Sequence, residues 1–201
     1  TIHAPSLARS LARTGSHDKR GAGAGEGRAR VPNMPVLLTS CGVTSHPALE
    51  AELQRMLRAS FPRRKTGEGV LVYVPTAKIG EGVSSAHCRA IGEQLAKKLG
   101  FAECAIAELS DKSFDVKSLP EASKAQAIYL DCGNTFFLQY HAKKSGIEEY
   151  IRELLKCKGV YVGASAGSIY AGQTVQVALW KGWDNPKVVP ANFQAKILIN
   201  L

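Results

Sequence analysis

The sequence predicts an α/β protein with three layers, in which helices cover both faces of a mostly parallel, doubly wound sheet. Five short apolar segments of strand length alternate with longer segments whose apolar residues recur at helical spacing. Strands that are apolar throughout, rather than at every second position, are typical of parallel sheets buried on both faces. With 201 residues, the chain is long enough for one such domain.

The expected elements follow in chain order from residue 36. The predicted strands cover 36–40, 69–75, 101–109, 127–130 and 160–162. The first predicted helix is capped by Thr44 or Ser45 and has Pro47 in its first turn. Three further helices are predicted over 83–99, 136–144 and 147–156, and a last helix begins at Ser165. We expect Gly100 and Gly146 to end helices, since glycine is common just past a helix C-terminus.

The first 33 residues are predicted to lie outside the folded domain, which covers 34–201. They are rich in Gly, Ala, Arg and Ser and contain the low-complexity run GAGAG at 21–25. They hold six basic and two acidic side chains, and so four of the nine net positive charges. We expect a basic, disordered extension that is a transit peptide or a spurious leader, with Met34 as an alternative start.

Composition argues against several classes of function. The charges beyond residue 33 are dispersed and form no basic stripe with interleaved aromatic residues, so we expect no nucleic-acid partner. No apolar run approaches the ~20 residues of a membrane span, so we expect no membrane partner. The five cysteines contain no C-x-x-C pair, which predicts free thiols, no metal and no cofactor. The expected location is the cytoplasm, or an organelle if 1–33 is a transit peptide.

The run GASAG at 163–167 carries the strongest chemical signal. A G-x-S-x-G run between a strand and a helix is the signature of a nucleophile elbow, a tight turn that exposes a serine hydroxyl. Ser165 would be the nucleophile, and the N–H of Ala166 would be the first donor of an oxyanion hole. The alternative is a Gly/Ala-rich turn that only closes a helix onto the sheet.

A second run, DCGNTFFL at 131–138, follows the fourth strand. The carboxyl ends of parallel strands meet at one edge, so this run is expected beside the elbow. Gly133 can present its N–H without a side chain in the way, and we predict it as the second oxyanion donor. Asn134 and Thr135 would contact substrate, cap the following helix, or do both.

These two runs resemble the peptidase E (α-aspartyl dipeptidase) family of serine peptidases. The resemblance rests on DCGNTFFLQY at 131–140 and YVGASAGSIYAG at 161–172, with support from MPVLLTSCG at 34–42 and ALWKGWDNP at 178–186. It implies a fold related to class I glutamine amidotransferase domains and the hydrolysis of dipeptides with an N-terminal aspartate. It also implies a serine nucleophile, a histidine base and an acidic residue, with Ser165, Gly133 and Ala166 at matching positions.

The chain departs from this family in two places. Cys132 stands where the family has glycine, in G-G-N-T-F, and residues 166–201 contain no histidine to act as the base. Two of the five histidines, His3 and His17, precede the predicted domain. We expect His46 to cap a helix rather than line the site. We expect His87 to be packed on the apolar stripe of its helix, and His141 to lie at the surface or to pack against neighbours. The expected explanation is a sequence that is incomplete at its C-terminus.

Asp184 is the only carboxylate after Ser165. It matches the family's acidic residue, although an Asp-Asn-Pro turn is the alternative. The sequence therefore predicts a serine-type dipeptidase with Ser165 and Asp184 as catalytic residues, a small peptide as ligand, and a homodimer as an open option. The alternatives are a catalytically inactive or truncated homologue that binds acidic peptides, and a cyanophycinase-like hydrolase.

Overall fold

The computed structural model describes residues 34–180, 182, 184–191 and 193. The predicted extension over 1–33 lies outside the described residues. The strands are β1 (Val36–Thr39), β2 (Val70–Val74), β3 (Glu103–Ile106), β4 (Ala125–Leu130) and β5 (Val160–Ala164). The helices are α1 (Pro47–Ser60), α2 (Thr76–Ile79), α3 (Ser85–Lys98), α4 (Thr135–Ser145), α5 (Ile147–Lys156), α6 (Ala166–Tyr170) and α7 (Val177–Trp180), with 3₁₀ turns at Val43–Ser45, Val116–Ser118 and Pro186–Val188.

The five strands form one parallel sheet in the order β1-β5-β4-β2-β3. Leu130 at the end of β4 is in register with Gly163 of β5 on one side and with Val74 of β2 on the other. The predicted parallel sheet is therefore confirmed, and the loops that follow β1, β5, β4 and β2 emerge side by side at its carboxyl edge.

Helices cover both faces of the sheet, as the sequence predicts. Alternate strand residues point to opposite faces, so each strand contributes to two separate apolar cores. One core contains Leu53 and Leu57 of α1 with Ala96 of α3; the other contains Leu138 of α4, Ile151 of α5 and Tyr170 of α6. Burial on both faces explains why the inner strands β5, β4 and β2 are almost entirely apolar.

The prediction that His87 is packed in the core is wrong. His87 is exposed, and the buried face of α3 is formed by Cys88, Gly92 and Ala96. The helix lies close to the sheet at Gly92, where an added β-carbon would be 2.5 Å from the ring of Tyr73. Small residues thus mark the contact face of α3, whereas the larger residues of the predicted stripe flank it.

Other local predictions can be compared with the observed ends of the elements. Gly100 and Gly146 follow α3 and α4 with φ of +74° and +77°, which confirms the predicted glycine stops. The N-cap of α1 is His46, whose Nδ1 accepts a hydrogen bond from the Ala48 N–H (3.2 Å), rather than Thr44 or Ser45. Strand β3 is shorter than the predicted 101–109.

No helix in the described part of the chain is long and apolar enough to cross a lipid bilayer.

Candidate active site

Ser165 occupies a strained turn between β5 and α6. Its φ of 47° and ψ of −100° are a conformation that residues with a β-carbon rarely adopt. The turn is held on both sides, because the Ser165 N–H donates to the Thr39 carbonyl (2.8 Å) and the Ser165 carbonyl accepts from the Ile169 N–H (2.9 Å). The side chain is half-buried at the carboxyl edge of the sheet. This geometry is that of a nucleophile elbow.

The two glycines of the elbow are required by close backbone approaches. A β-carbon at Gly163 would lie 2.7 Å from the carbonyl group of Gly167. A β-carbon at Gly167 would lie 2.2 Å from the Leu130 carbonyl oxygen, in the central strand β4. The G-x-S-x-G spacing thus lets α6 start directly against β4 and β5, with Ser165 at the top of the turn.

Two residues that sequence reasoning missed join the elbow to β1. The Ser168 hydroxyl accepts a hydrogen bond from the Thr39 N–H (3.0 Å) and lies 2.8 Å from the carbonyl oxygens of both Thr39 and Gly163, to either of which it can donate. The Thr39 hydroxyl donates to the Gly163 carbonyl (3.1 Å) and accepts from the Gly42 N–H (3.1 Å). The elbow is thereby fixed to its neighbouring strand through side-chain hydroxyls.

The loop after β4 carries the predicted donor Gly133. Its φ is +130°, and an added β-carbon would lie 2.2 Å from the Ala77 carbonyl oxygen. Its neighbours use their N–H groups internally: Asp131 donates to the Val74 carbonyl (3.1 Å), Cys132 to the Asp131 carboxylate (2.7 Å) and Asn134 to the Ala77 carbonyl (2.9 Å). Among the described residues, the Gly133 N–H has no such acceptor, so it is available to an incoming oxygen.

The Ala166 N–H is available in the same sense. Ala166 is the first residue of α6, where backbone N–H groups lack an acceptor within the helix, and no other described residue accepts from it. Gly133 and Ala166 follow the neighbouring strands β4 and β5. Two backbone donors at adjacent strand ends, one of them directly after a serine, are candidates for an oxyanion hole.

Asn134 caps α4. Its Oδ1 accepts a hydrogen bond from the Phe137 N–H (3.0 Å), and its Nδ2 donates to the Asn185 carbonyl (3.0 Å). The side chain is almost fully buried. Both polar atoms of its amide therefore have protein partners, which accords with the capping prediction and ties the loop to the segment around residue 185.

Thr135 and Asp184 are brought together. Asp184 Oδ2 accepts hydrogen bonds from the Thr135 hydroxyl (2.5 Å) and from the Thr135 N–H (3.2 Å), and both residues are buried. A carboxylate at the N-terminus of α4 also interacts favourably with the helix dipole. The contacts of Asp184 therefore fix the start of α4, directly after the Gly133 loop.

Replacing Asp184 with alanine is expected to lower the free energy of unfolding by about 2 kcal/mol, because a buried hydrogen bond to a charged group contributes roughly 1.5–3 kcal/mol. Urea unfolding of Asp184→Ala, Thr135→Val and the double variant measures this. We expect the two single losses to be strongly non-additive, because both variants remove the hydrogen bond between the Thr135 hydroxyl and the Asp184 carboxylate. Additive losses would contradict the pairing.

A polar cluster beside the Gly133 loop could not be predicted from the sequence. The Asp131 carboxylate accepts a hydrogen bond from the Tyr73 hydroxyl and lies 3.4 Å from Lys78 Nζ. Lys78 Nζ in turn donates to Cys132 Sγ (3.1 Å). Its residues come from β2, α2 and the β4 loop, which meet only in the folded sheet.

Burial and the charges within this cluster shift the pKa values of its members. Burial raises the pKa of Cys132, and the Asp131 carboxylate raises it further, so the thiol form is favoured. Burial alone would lower the pKa of Lys78, but Asp131 and Cys132 more than offset this, so the net shift is upward and the ammonium form is favoured. Burial and Asp131 likewise raise the pKa of Tyr73, which keeps its hydroxyl as a donor.

The described histidines are all placed in other roles. His46 caps α1 and His87 is exposed on α3. His141 packs against the rings of Phe137 and Tyr140, at centroid distances of 4.4 Å and 5.0 Å. Burial and the nearby Lys144 lower the pKa of His141. His46 and His141 thus make these contacts within their own helices, and His87 faces solvent.

The fold and the elbow define the class of this protein: a parallel α/β/α protein with a serine at a strained strand–helix turn. The sequence model of peptidase family S51 matches residues 36–201. The chain belongs to peptidase family S51, and it is a peptidase by that membership. A search of curated proteins finds no match.

Solved structures support the same fold. A protein of Listeria monocytogenes EGD-e assigned as a peptidase E superposes with a TM-score of 0.56 at 20% identity, over 82% of this chain and 73% of that one. A peptidase from an acI-B1 actinobacterium superposes with a TM-score of 0.56 at 22% identity, over 70% of this chain and 57% of that one. The fold is the class I glutamine amidotransferase-like fold that peptidase E has.

Proposed function

We propose that the protein is a serine-type peptidase that cleaves small peptides, with dipeptides carrying an N-terminal aspartate as its substrates. The observation that carries the proposal is Ser165 in a strained turn after β5. The N–H groups of Gly133 and Ala166, which follow the neighbouring strands β4 and β5, lack acceptors among the described residues and support it. Membership of the S51 family supports peptide hydrolysis, and the resemblance to peptidase E suggests the substrate class.

In the proposed reaction, Ser165 Oγ attacks the carbon of the scissile peptide bond. The hydroxyl proton passes to a general base, and the negative charge that develops on the carbonyl oxygen is stabilised by the Gly133 and Ala166 N–H groups. Collapse of the tetrahedral intermediate breaks the C–N bond, and the leaving amine takes up the proton. Water then hydrolyses the acyl-serine ester and regenerates the hydroxyl.

The proposal assigns supporting roles to the neighbouring residues. Asp184 and Asn134 stabilise the start of α4 and the loop before it. Thr135 supplies the N–H and the hydroxyl that donate hydrogen bonds to Asp184. We assign the general base to none of His46, His87 and His141, because His46 caps α1, His87 faces solvent and His141 packs against Phe137.

The substrate class can be tested with purified protein and a dipeptide panel. We expect Asp-Leu to be cleaved at least about 10-fold faster, in kcat/KM, than the isosteric Asn-Leu, because losing a charge-assisted contact costs roughly 1.5–3 kcal/mol. Release of free leucine measures the rate. Equal rates for both peptides would contradict the aspartate preference, and binding of Asp-Leu by calorimetry without any turnover would favour the inactive binding protein.

A further inference from the structure

We infer that Lys78 is a positioning residue for the oxyanion hole, acting through Asp131 and Cys132 on the N–H of Gly133. This inference rests on the proposed function. Lys78 lies on α2, the short helix that follows β2 at the carboxyl edge of the sheet. Its side chain is only 20% exposed. Its ammonium group contacts both side chains that precede Gly133.

The direction of the Gly133 N–H is set by the peptide group that joins Cys132 to Gly133. Cys132 is held at two points: its N–H donates to Asp131 Oδ1 (2.7 Å), and its Sγ accepts from Lys78 Nζ (3.1 Å). The Asp131 carboxylate is itself held by Tyr73 and Lys78. Removing the ammonium group releases Sγ and leaves the carboxylate with one partner fewer.

Helix α2 also contacts the backbone of the Gly133 loop. The Ala77 carbonyl oxygen accepts from the Asn134 N–H (2.9 Å) and lies 2.2 Å from the position of a β-carbon added at Gly133. Lys78 is the next residue after Ala77. The backbone of α2 therefore packs against Gly133, and the Lys78 side chain contacts Cys132. A donor fixed in this way needs no rearrangement when charge develops on the substrate oxygen.

Stability alone is a weak reason for this arrangement. A half-buried ion pair loses hydration that its mutual attraction only partly restores, and an apolar residue in its place is often equally stable. The sequence offers a functional reason instead. Cys132 stands where the resembled G-G-N-T-F pattern has glycine, and its Sγ accepts from Lys78 Nζ (3.1 Å), a side-chain contact that glycine could not make.

The test compares Lys78→Met, Lys78→Arg and Asp131→Asn with the surface control Lys97→Met in the whole protein. We expect Lys78→Met and Asp131→Asn to lower kcat for Asp-Leu about 10-fold, less than the 10²–10³-fold for complete loss of an oxyanion donor, with KM within about 2-fold. Lys78→Arg should recover most of the lost kcat, and Lys97→Met should behave as wild type. A rise in KM with unchanged kcat would overturn the inference, because it would make Lys78 a substrate-binding residue.

A second readout does not depend on activity. The Cys132 amide donates to the Asp131 carboxylate within the loop, and the Asn134 amide donates to the Ala77 carbonyl of α2. The hydrogen exchange of both amides, followed by NMR, therefore reports the order of the loop. We expect exchange at both amides about 10-fold faster in Lys78→Met and unchanged in Lys97→Met. Unchanged exchange in Lys78→Met would overturn the inference even if the enzyme is active. Faster exchange in a protein whose wild type cleaves no dipeptide would instead refute the proposed function and leave Lys78 as the residue that orders the loop.

The coupling between Lys78 and Cys132 gives a further criterion. In the Cys132→Gly background the thiol is gone, so the effect of Lys78→Met on kcat should shrink to about 3-fold or less. Equal effects of Lys78→Met in both backgrounds would mean that the two side chains act independently, which would overturn the route through Cys132.

Discussion

Replacing Ser165 with alanine is expected to lower the rate of Asp-Leu hydrolysis by at least about 10⁴-fold, since loss of the nucleophile in a serine peptidase removes the acyl-enzyme route altogether. Alanine keeps the β-carbon and can follow the same turn, so the variant should stay folded, with a loss in the free energy of unfolding of about 1 kcal/mol, the centre of the range for single substitutions. Initial rates of leucine release and urea unfolding curves measure the two quantities.

A matched control is available at the other end of the sheet. Ser60 lies at the C-terminus of α1, and Ser60→Ala should retain the wild-type rate. If Ser165→Ala keeps more than about a tenth of the wild-type rate while Ser60→Ala is normal, Ser165 is not the nucleophile and hydrolysis takes place elsewhere.

The largest effect on stability is expected from Gly167→Ala. The added β-carbon would lie 2.2 Å from the Leu130 carbonyl oxygen and 2.8 Å from its carbonyl carbon. Both atoms belong to the backbone of the central strand, which cannot move without disturbing its pairing with β2 and β5. We expect the free energy of unfolding to fall by about 3 kcal/mol or more, at the upper end of overpacking effects.

Gly172→Ala is the matched control for this change. Gly172 lies two residues after the end of α6. Among the described residues, its added β-carbon would meet only the Ile169 carbonyl oxygen, at 3.2 Å. The loss should stay below about 1 kcal/mol. If urea unfolding places Gly167→Ala within about 1 kcal/mol of wild type, α6 does not start as close to β4 as the structure has it.

The parts of the site that the sequence predicts are those encoded in contiguous residues. The G-x-S-x-G spacing at 163–167 specifies a local turn, and the glycines report the backbone approaches that make it. The role of Asn134 as a cap is also local, since its Oδ1 reaches the N–H of Phe137 only three positions on. Periodicity and the glycines after α3 and α4 likewise gave most of the element order.

The rest depends on contacts between distant segments. Lys78 and Cys132 are 54 positions apart, and Thr39 and Ser168 are 129 apart. Nothing in either neighbourhood indicates the partner, because the contact depends on the strand order. The mistaken placement of His87 has a related cause: the face of α3 that meets the sheet is chosen by the fit of Gly92 to the Tyr73 ring, not by hydrophobicity alone.

The most direct test of Ser165 as an activated nucleophile is reaction with a fluorophosphonate, followed by peptide mass spectrometry. Attack of the serine oxygen on phosphorus expels fluoride and leaves a stable phosphonyl ester. We expect a single adduct, on Ser165, that is absent in Ser165→Ala and present in Ser60→Ala. An unmodified Ser165 in the wild-type protein, or an adduct on another residue that persists in Ser165→Ala, would contradict this expectation.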